Sequence, residues 1–182
     1  MKDLYIETER LIIRAYQEND LQEAFELMQE EELFTYLPME VMPFQEYKEL
    51  FTWLVQNYEV SSKNEWYKYS FTIIRKGDGK QVGWCGVGSL DYNHADKEIF
   101  YLVGKPFWGN GYASEAVEAL IHYCFAKLDL IELVAVVKPE NKPSIKVLEK
   151  LGFNYHSDVL GLPEAFDFYN GEKYYTLRND KE

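Results

Sequence analysis

The sequence predicts a single α/β domain over residues 1–182. Three observations predict it. The β-branched and aromatic run Ile99-Phe100-Tyr101-Leu102-Val103 leads through a glycine-bearing loop into a periodic apolar pattern. Ala113, Ala116, Val117, Leu120, Ile121, Cys124 and Leu128 recur there at i, i+3, i+4 spacing, which reads as strand, loop and amphipathic helix. Residues 69–75 and 81–90 read as two strands around Lys76-Gly77-Asp78-Gly79-Lys80, where Asp-Gly is a hairpin signal. Strands and helices then alternate to the end of the chain, with no linker, repeat or low-complexity segment between them.

The remaining elements follow in order. Residues 4–16 hold a strand at Leu11-Ile12-Ile13-Arg14. Asn19 or Asp20 is placed to cap a helix whose apolar positions are Leu21, Ala24, Phe25 and Leu27 or Met28. Pro38 and Pro43 interrupt the chain, and Tyr47, Leu50, Phe51, Leu54 and Tyr58 mark a second helix. A turn over residues 92–96 precedes the strand around 97–103. After the central helix, residues 131–137 form a strand that should be largely buried. Asn141 then caps a helix that tolerates Pro143 in its first turn, runs through Leu151 and is closed by Gly152. Residues 160–163 read as a loop and 174–177 as a final strand. Tyr36, Trp53, Trp66, Tyr67 and Trp84 are assigned to the core by default.

Composition narrows the function classes. Apolar residues make up 47% of 182 positions, ample for a core, and no uninterrupted apolar stretch spans a membrane. The N-terminus lacks the basic and apolar regions of a secretory signal. Cys85 and Cys124 lie in apolar patterns without metal-ligand spacing, so they read as buried thiols in a reducing compartment, the cytoplasm. His94, His122 and His156 are separated and form neither a metal set nor a triad, so no metal is expected. A net charge of −12 argues against nucleic-acid binding and suits a cationic partner. Lys142, Lys146 and Lys150 recur every fourth residue, a local basic stripe against that acidic background.

The loop at 104–113 carries the chemistry. Gly109 and Gly111 allow the backbone to turn sharply and to approach a ligand closely. The free N–H groups of the following helix then point at the loop and favour an anion. No Gly-Lys-Ser/Thr follows, which excludes a P-loop, and the glycines do not fall into a dinucleotide fingerprint. The segment Trp108-Gly109-Asn110-Gly111-Tyr112-Ala113 resembles the coenzyme A loop of the GCN5-related N-acetyltransferases, with Trp108 where Gln or Arg is usual. Trp-Gly-x-Gly-Tyr-Ala-Ser-Glu-Ala is similar to the ribosomal-protein N-terminal acetyltransferase branch. Residues 7–14, the Asn141-Lys142-Pro143-Ser144 helix with Gly152-Phe153, and residues 171–177 resemble further segments of that family, in the same order.

That resemblance implies a V-shaped cofactor cleft between the central strands, with acetyl-CoA as cosubstrate. Pantetheine lies beside Tyr101, Leu102 and Val103, and Gly109 through Ala113 present N–H groups to the pyrophosphate. The resemblance also implies a mixed, mostly antiparallel twisted sheet flanked by helices, with part of residues 30–70 lining the acceptor cleft. The stripe of Lys142, Lys146 and Lys150, read from spacing alone, is placed to attract the nucleotide end by charge, the plainer reading being a solvated face. Asn141 and Ser144 contact the pantetheine arm, Ser144 near the sulfur. A serine hydroxyl there can donate to a developing thiolate. The resemblance also places Glu98 before the acceptor cleft, where a buried carboxylate is able to take the proton of an ammonium substrate. The plainer reading of Glu98 is a surface pair with Lys97 or a neighbouring strand. The expected activity is transfer of an acetyl group to a primary amine, a protein N-terminus among the candidates, by a monomer or homodimer. A small-amine acetyltransferase for polyamines, amino acids or aminoglycosides, and an inactive acyl-CoA-binding module, are the alternatives.

Overall fold

The computed structural model describes residues 1–60 and 68–179 and forms one eight-stranded sheet. The strands are β1 (Tyr5–Glu7), β2 (Leu11–Ala15), β3 (Tyr69–Arg75), β4 (Gln81–Leu90), β5 (Asn93–Val103), β6 (Glu132–Val137), β7 (Asn154–Asp158) and β8 (Lys173–Arg178). The helices are α1 (Leu21–Leu27), α2 (Phe44–Val60), α3 (Tyr112–Lys127) and α4 (Lys142–Lys150). Strand order is β1-β2-β3-β4-β5-β6-β8-β7. Every neighbouring pair is antiparallel except β5 and β6, which α3 connects as a parallel crossover.

The Asp-Gly hairpin joins β3 to β4 at the expected boundaries. The opening segment is a hairpin, β1 with β2, where the sequence reading has one strand. β5 begins at Asn93, because residues placed in a turn extend the ladder with β4 as far as a pairing of Leu90 with Asn93. Asp20 precedes α1, but its carboxylate accepts from the Gln17 N–H and pairs with Arg14, capping the turn before the helix. Ile131 is 81% exposed and lies outside β6, so burial of that strand starts at Leu133. α4 matches expectation: Asn141 Oδ1 accepts from the Ser144 N–H at 3.2 Å, and Gly152 takes the left-handed φ of +88° that ends the helix.

Adjacent β5 residues face opposite sides of the sheet. Leu102 packs with Leu27 of α1 on one side, while Tyr101 reaches Ser144 of α4 on the other. Between the layers, Phe71, Ile73, Val87, Ile99, Val117, Leu120 and Leu133 are almost completely buried. Trp84 is half-buried against this core, as expected. Trp53 departs from the core assignment, standing 52% exposed on α2 at the rim of a cleft. Trp66 and Tyr67 lie outside the described residues.

Candidate active site

The central strands part company almost at once. β5 and β6 pair in register at Glu98 with Val134 and at no other position among the described residues. Beyond that bridge the strands diverge, and a cleft of about 420 Å³ opens between them. Its walls include residues 98–101 of β5, residues 135–138 at the end of β6, and Asn141, Ser144 and Leu148 of the α4 segment. Tyr36–Met39 and the Leu50, Trp53 and Leu54 face of α2 close the other side, so the 30–70 region does line the cleft.

The glycine loop follows β5 and leads into α3, outside the residues that line the cleft. Gly109 and Gly111 adopt φ of +76° and +78°, conformations that cost a residue with a Cβ about 1–3 kcal/mol. The N–H groups of the first turn of α3 lack intrahelical partners, which is the geometry of an anion cradle. No atom outside the loop stands within 4 Å of a Cβ built on Gly109. Asn110 is spent on the loop itself, its side-chain N–H groups donating to the Phe107 and Trp108 carbonyls. The loop is tied down from β2: Arg10 donates to the Asn110 carbonyl at 2.9 Å and pairs with Glu115 at 2.6 Å. Its guanidinium stacks 4.9 Å from the centre of the buried Tyr112 ring. Ala113 is half-buried beside it. Trp108 is 53% exposed and its indole N–H donates to the Val103 carbonyl at 2.6 Å, fastening the loop to the end of β5. Lys142, Lys146 and Lys150 are exposed on the outer face of α4 and none lines the cleft.

On the α4 face of the opening, Tyr101 Oη and Ser144 Oγ share a hydrogen bond of 2.8 Å. Burial pushes the Tyr101 phenol up to about 12, so it stays protonated at neutral pH. The sequence reading gave Tyr101 a backbone role alone; its side chain adds a proton donor behind Ser144.

The opposite face is charged. Glu98 is 6% exposed, and burial raises its carboxyl above the ordinary carboxylate value, with Lys68 offsetting part of the shift. Its ion-pair partner is Lys68, at 3.0 Å, in place of the surface pairing with Lys97; Lys97 donates instead to Ser89 and the His94 carbonyl. The Lys68 contact is to Glu98 Oε2, which no other group among the described residues meets. Lys68 also meets Asp91 at 3.1 Å. Its burial works against the ammonium, and the two carboxylates raise it above the usual lysine value. A second pair, Lys138 with Glu172 at 3.2 Å, borders the same space. Glu172 is 3% exposed and burial pushes its carboxyl up to about 7. Lys138 lies 3.9 Å above the Phe168 ring and donates to the Phe168 carbonyl. Lys68, Asp91, Lys138 and Glu172 were not singled out from sequence, since only strand pairing brings such distant positions to Glu98. Among the described residues no group of histidines, cysteines and carboxylates is arranged to hold a metal, and no helix is long and apolar enough to cross a membrane.

The comparisons agree with this geometry. A family model described as an acetyltransferase (GNAT) domain matches residues 10–154. An uncharacterized N-acetyltransferase, p20 of Bacillus licheniformis, is 35% identical over 153 residues, covering 84% of this chain and 83% of that protein. The spermidine N-acetyltransferase of Vibrio cholerae, solved with CoA and spermine, superposes with a TM-score of 0.73 at 18% identity, over 94% of this chain and 96% of that one. RimL, a ribosomal L7/L12 alpha-N-protein acetyltransferase solved with coenzyme A, gives 0.76 at 16% identity, over 98% and 100%. Sequence match and split-sheet fold together make this chain a member of the GNAT acetyltransferase family, an N-acetyltransferase.

Proposed function

We propose that the protein transfers the acetyl group of acetyl-CoA to a primary amine, with Glu98 as the proton acceptor. The parting of β5 from β6 at Glu98 carries this reading: the opening has a buried carboxylate on one face and a paired tyrosine and serine on the other. The unpaired edge of β5 over residues 99–103 offers backbone groups to an extended pantetheine arm, although the Val103 carbonyl is already engaged by Trp108. The residues fit coenzyme A: the left-handed glycine loop at a helix N-terminus would hold the pyrophosphate, and Asn141, Ser144 and Tyr101, which line the cleft, would border the thiol end. Both CoA-bound structural neighbours support that donor.

When bound, acetyl-CoA supplies an activated thioester. Glu98, whose one ion-pair partner among the described residues is Lys68, accepts the proton of the incoming ammonium and leaves a lone pair to attack the carbonyl carbon. As the new C–N bond forms and the C–S bond breaks, the nitrogen gives up its second proton, which replaces the one that Tyr101 passes through Ser144 to the departing thiolate, leaving a neutral amide and a free thiol. Most of the gain comes from positioning in the cleft, with proton transfer adding about two to four orders of magnitude. A ribosomal-protein N-terminus and a small amine are both candidate acceptors, as the names of the two neighbours illustrate. The buried free thiols of Cys85 and Cys124 favour action in the cytoplasm, as a monomer or homodimer.

Thiol release from acetyl-CoA against a panel of amines tests the reading, run beside thermal unfolding with coenzyme A. Stabilisation together with amine-dependent thiol release is expected, since a ligand bound only by the folded state raises the melting temperature. Stabilisation without thiol release would make the protein a binder and not an enzyme.

A further inference from the structure

The charges in the cleft limit what the acceptor carries. Among the described residues lining it, the ionisable groups facing Glu98 are Lys68 and Lys138 against Asp91, Glu98 and Glu172. Lys68 is matched by Asp91 and Glu98, and Lys138 by Glu172. Each of the three carboxylates thus already faces an ammonium among the described residues. Glu98 Oε2 meets Lys68 at 3.0 Å and no other group among the described residues, which leaves it a side open to an incoming nitrogen.

The rest of the wall on this side is apolar. Tyr36, Leu37, Met39, Leu50 and Trp53 line the same cleft, and Trp53 is half exposed. An exposed indole at the mouth of a cleft offers a flat apolar surface to whatever enters. A polyamine would bring further ammoniums into a cleft where every carboxylate among the described lining residues already faces a lysine; an aminoglycoside would add hydroxyls as well. Burying such groups without partners is unfavourable.

From these two observations, and resting on the acetyltransferase reading above, we propose that the acceptor is a monocationic amine with an apolar or aromatic body, its nitrogen at Glu98 and its body against Trp53 and Leu50. The same chemistry occurs in a small arylalkylamine and in a peptide that begins with a large apolar residue.

The test compares kcat/KM for 2-phenylethylamine, a peptide amide beginning with leucine, ethanolamine, spermidine and kanamycin. Phenylethylamine or the leucyl peptide should exceed spermidine and kanamycin by on the order of a hundredfold. Which of the two leads tells whether the source is a small molecule or a polypeptide. Trp53→Ala should raise KM for the preferred apolar acceptor about tenfold with kcat little changed, and leave KM for ethanolamine where it was. Calorimetric binding of phenylethylamine to the coenzyme A complex should weaken by the same factor. Faster turnover of spermidine or kanamycin overturns the inference while leaving the acetyltransferase reading intact, as does an equal loss for all acceptors in Trp53→Ala. No thiol release with any amine overturns both.

Discussion

Glu98 sits at the one point where the two halves of the sheet touch, and its burial decides its chemistry. A carboxylate held above its ordinary pKa is a better match for an ammonium proton than a solvated one. Glu98→Gln keeps the shape and removes the proton acceptor, so kcat should fall by on the order of a hundredfold while coenzyme A still raises the melting temperature as before. The deficit should narrow as pH rises, because more of the amine is then already neutral; parallel pH profiles with similar rates would make Glu98 structural. Glu172 yields a prediction that needs no substrate. Its folded pKa, about 7, lies above the unfolded value near 4.5, so the native state binds the extra proton between those limits. The stability that this residue contributes is therefore complete below about pH 4.5 and declines as pH rises through 7. Wild type should lose melting temperature relative to Glu172→Gln between pH 5 and 8, and a constant difference would show that the carboxyl titrates normally.

At the scale of elements, the glycine loop depends on a side chain 100 residues before it in sequence. Arg10 holds the Asn110 carbonyl, pairs with Glu115 and covers Tyr112, so β2 fixes the entry to α3. Because the pair is largely surface-placed, its worth to global stability is small, about 0–1 kcal/mol. Its worth to the loop is larger: Arg10→Ala should weaken coenzyme A binding about tenfold with a melting temperature shift of a few degrees at most. An unchanged affinity would mean that the loop holds its shape unaided. The α4 lysines act differently, being exposed and outside the cleft. Exchanging Lys142, Lys146 and Lys150 together for glutamine should flatten the salt dependence of coenzyme A affinity, since any attraction they exert is through solvent. Identical salt slopes would reduce the stripe to a solvated face. α3 and α4 were legible in sequence because their periodicity, glycines and Asn141 cap are local signals. The split beside Glu98 has no local signature; it follows from the α3 crossover returning a parallel strand.

For the molecule as a whole, the net charge of −12 pointed towards a cationic partner, but the cleft uses its acidity sparingly and cancels most of it internally. The charged floor was illegible for a topological reason. Glu172 precedes β8 and Lys138 follows β6, and they meet only because β8 pairs antiparallel with β6. Strand order also records how the molecule is assembled. β1 to β5 lie side by side in chain order, so that half closes with short-range pairings. The other half waits for the C-terminal strand, which inserts between β6 and β7, and joins the first across a single bridge. The cleft is thus a seam between two folding units, and its far wall is incomplete until residue 178 has been made. Amide hydrogen exchange should find β6 and β8 opening together, ahead of β3 and β4, with coenzyme A slowing both groups. Uniform exchange across the sheet would deny the seam. A ligand lying in it does more than wait for catalysis: it bastes the two halves of the protein together.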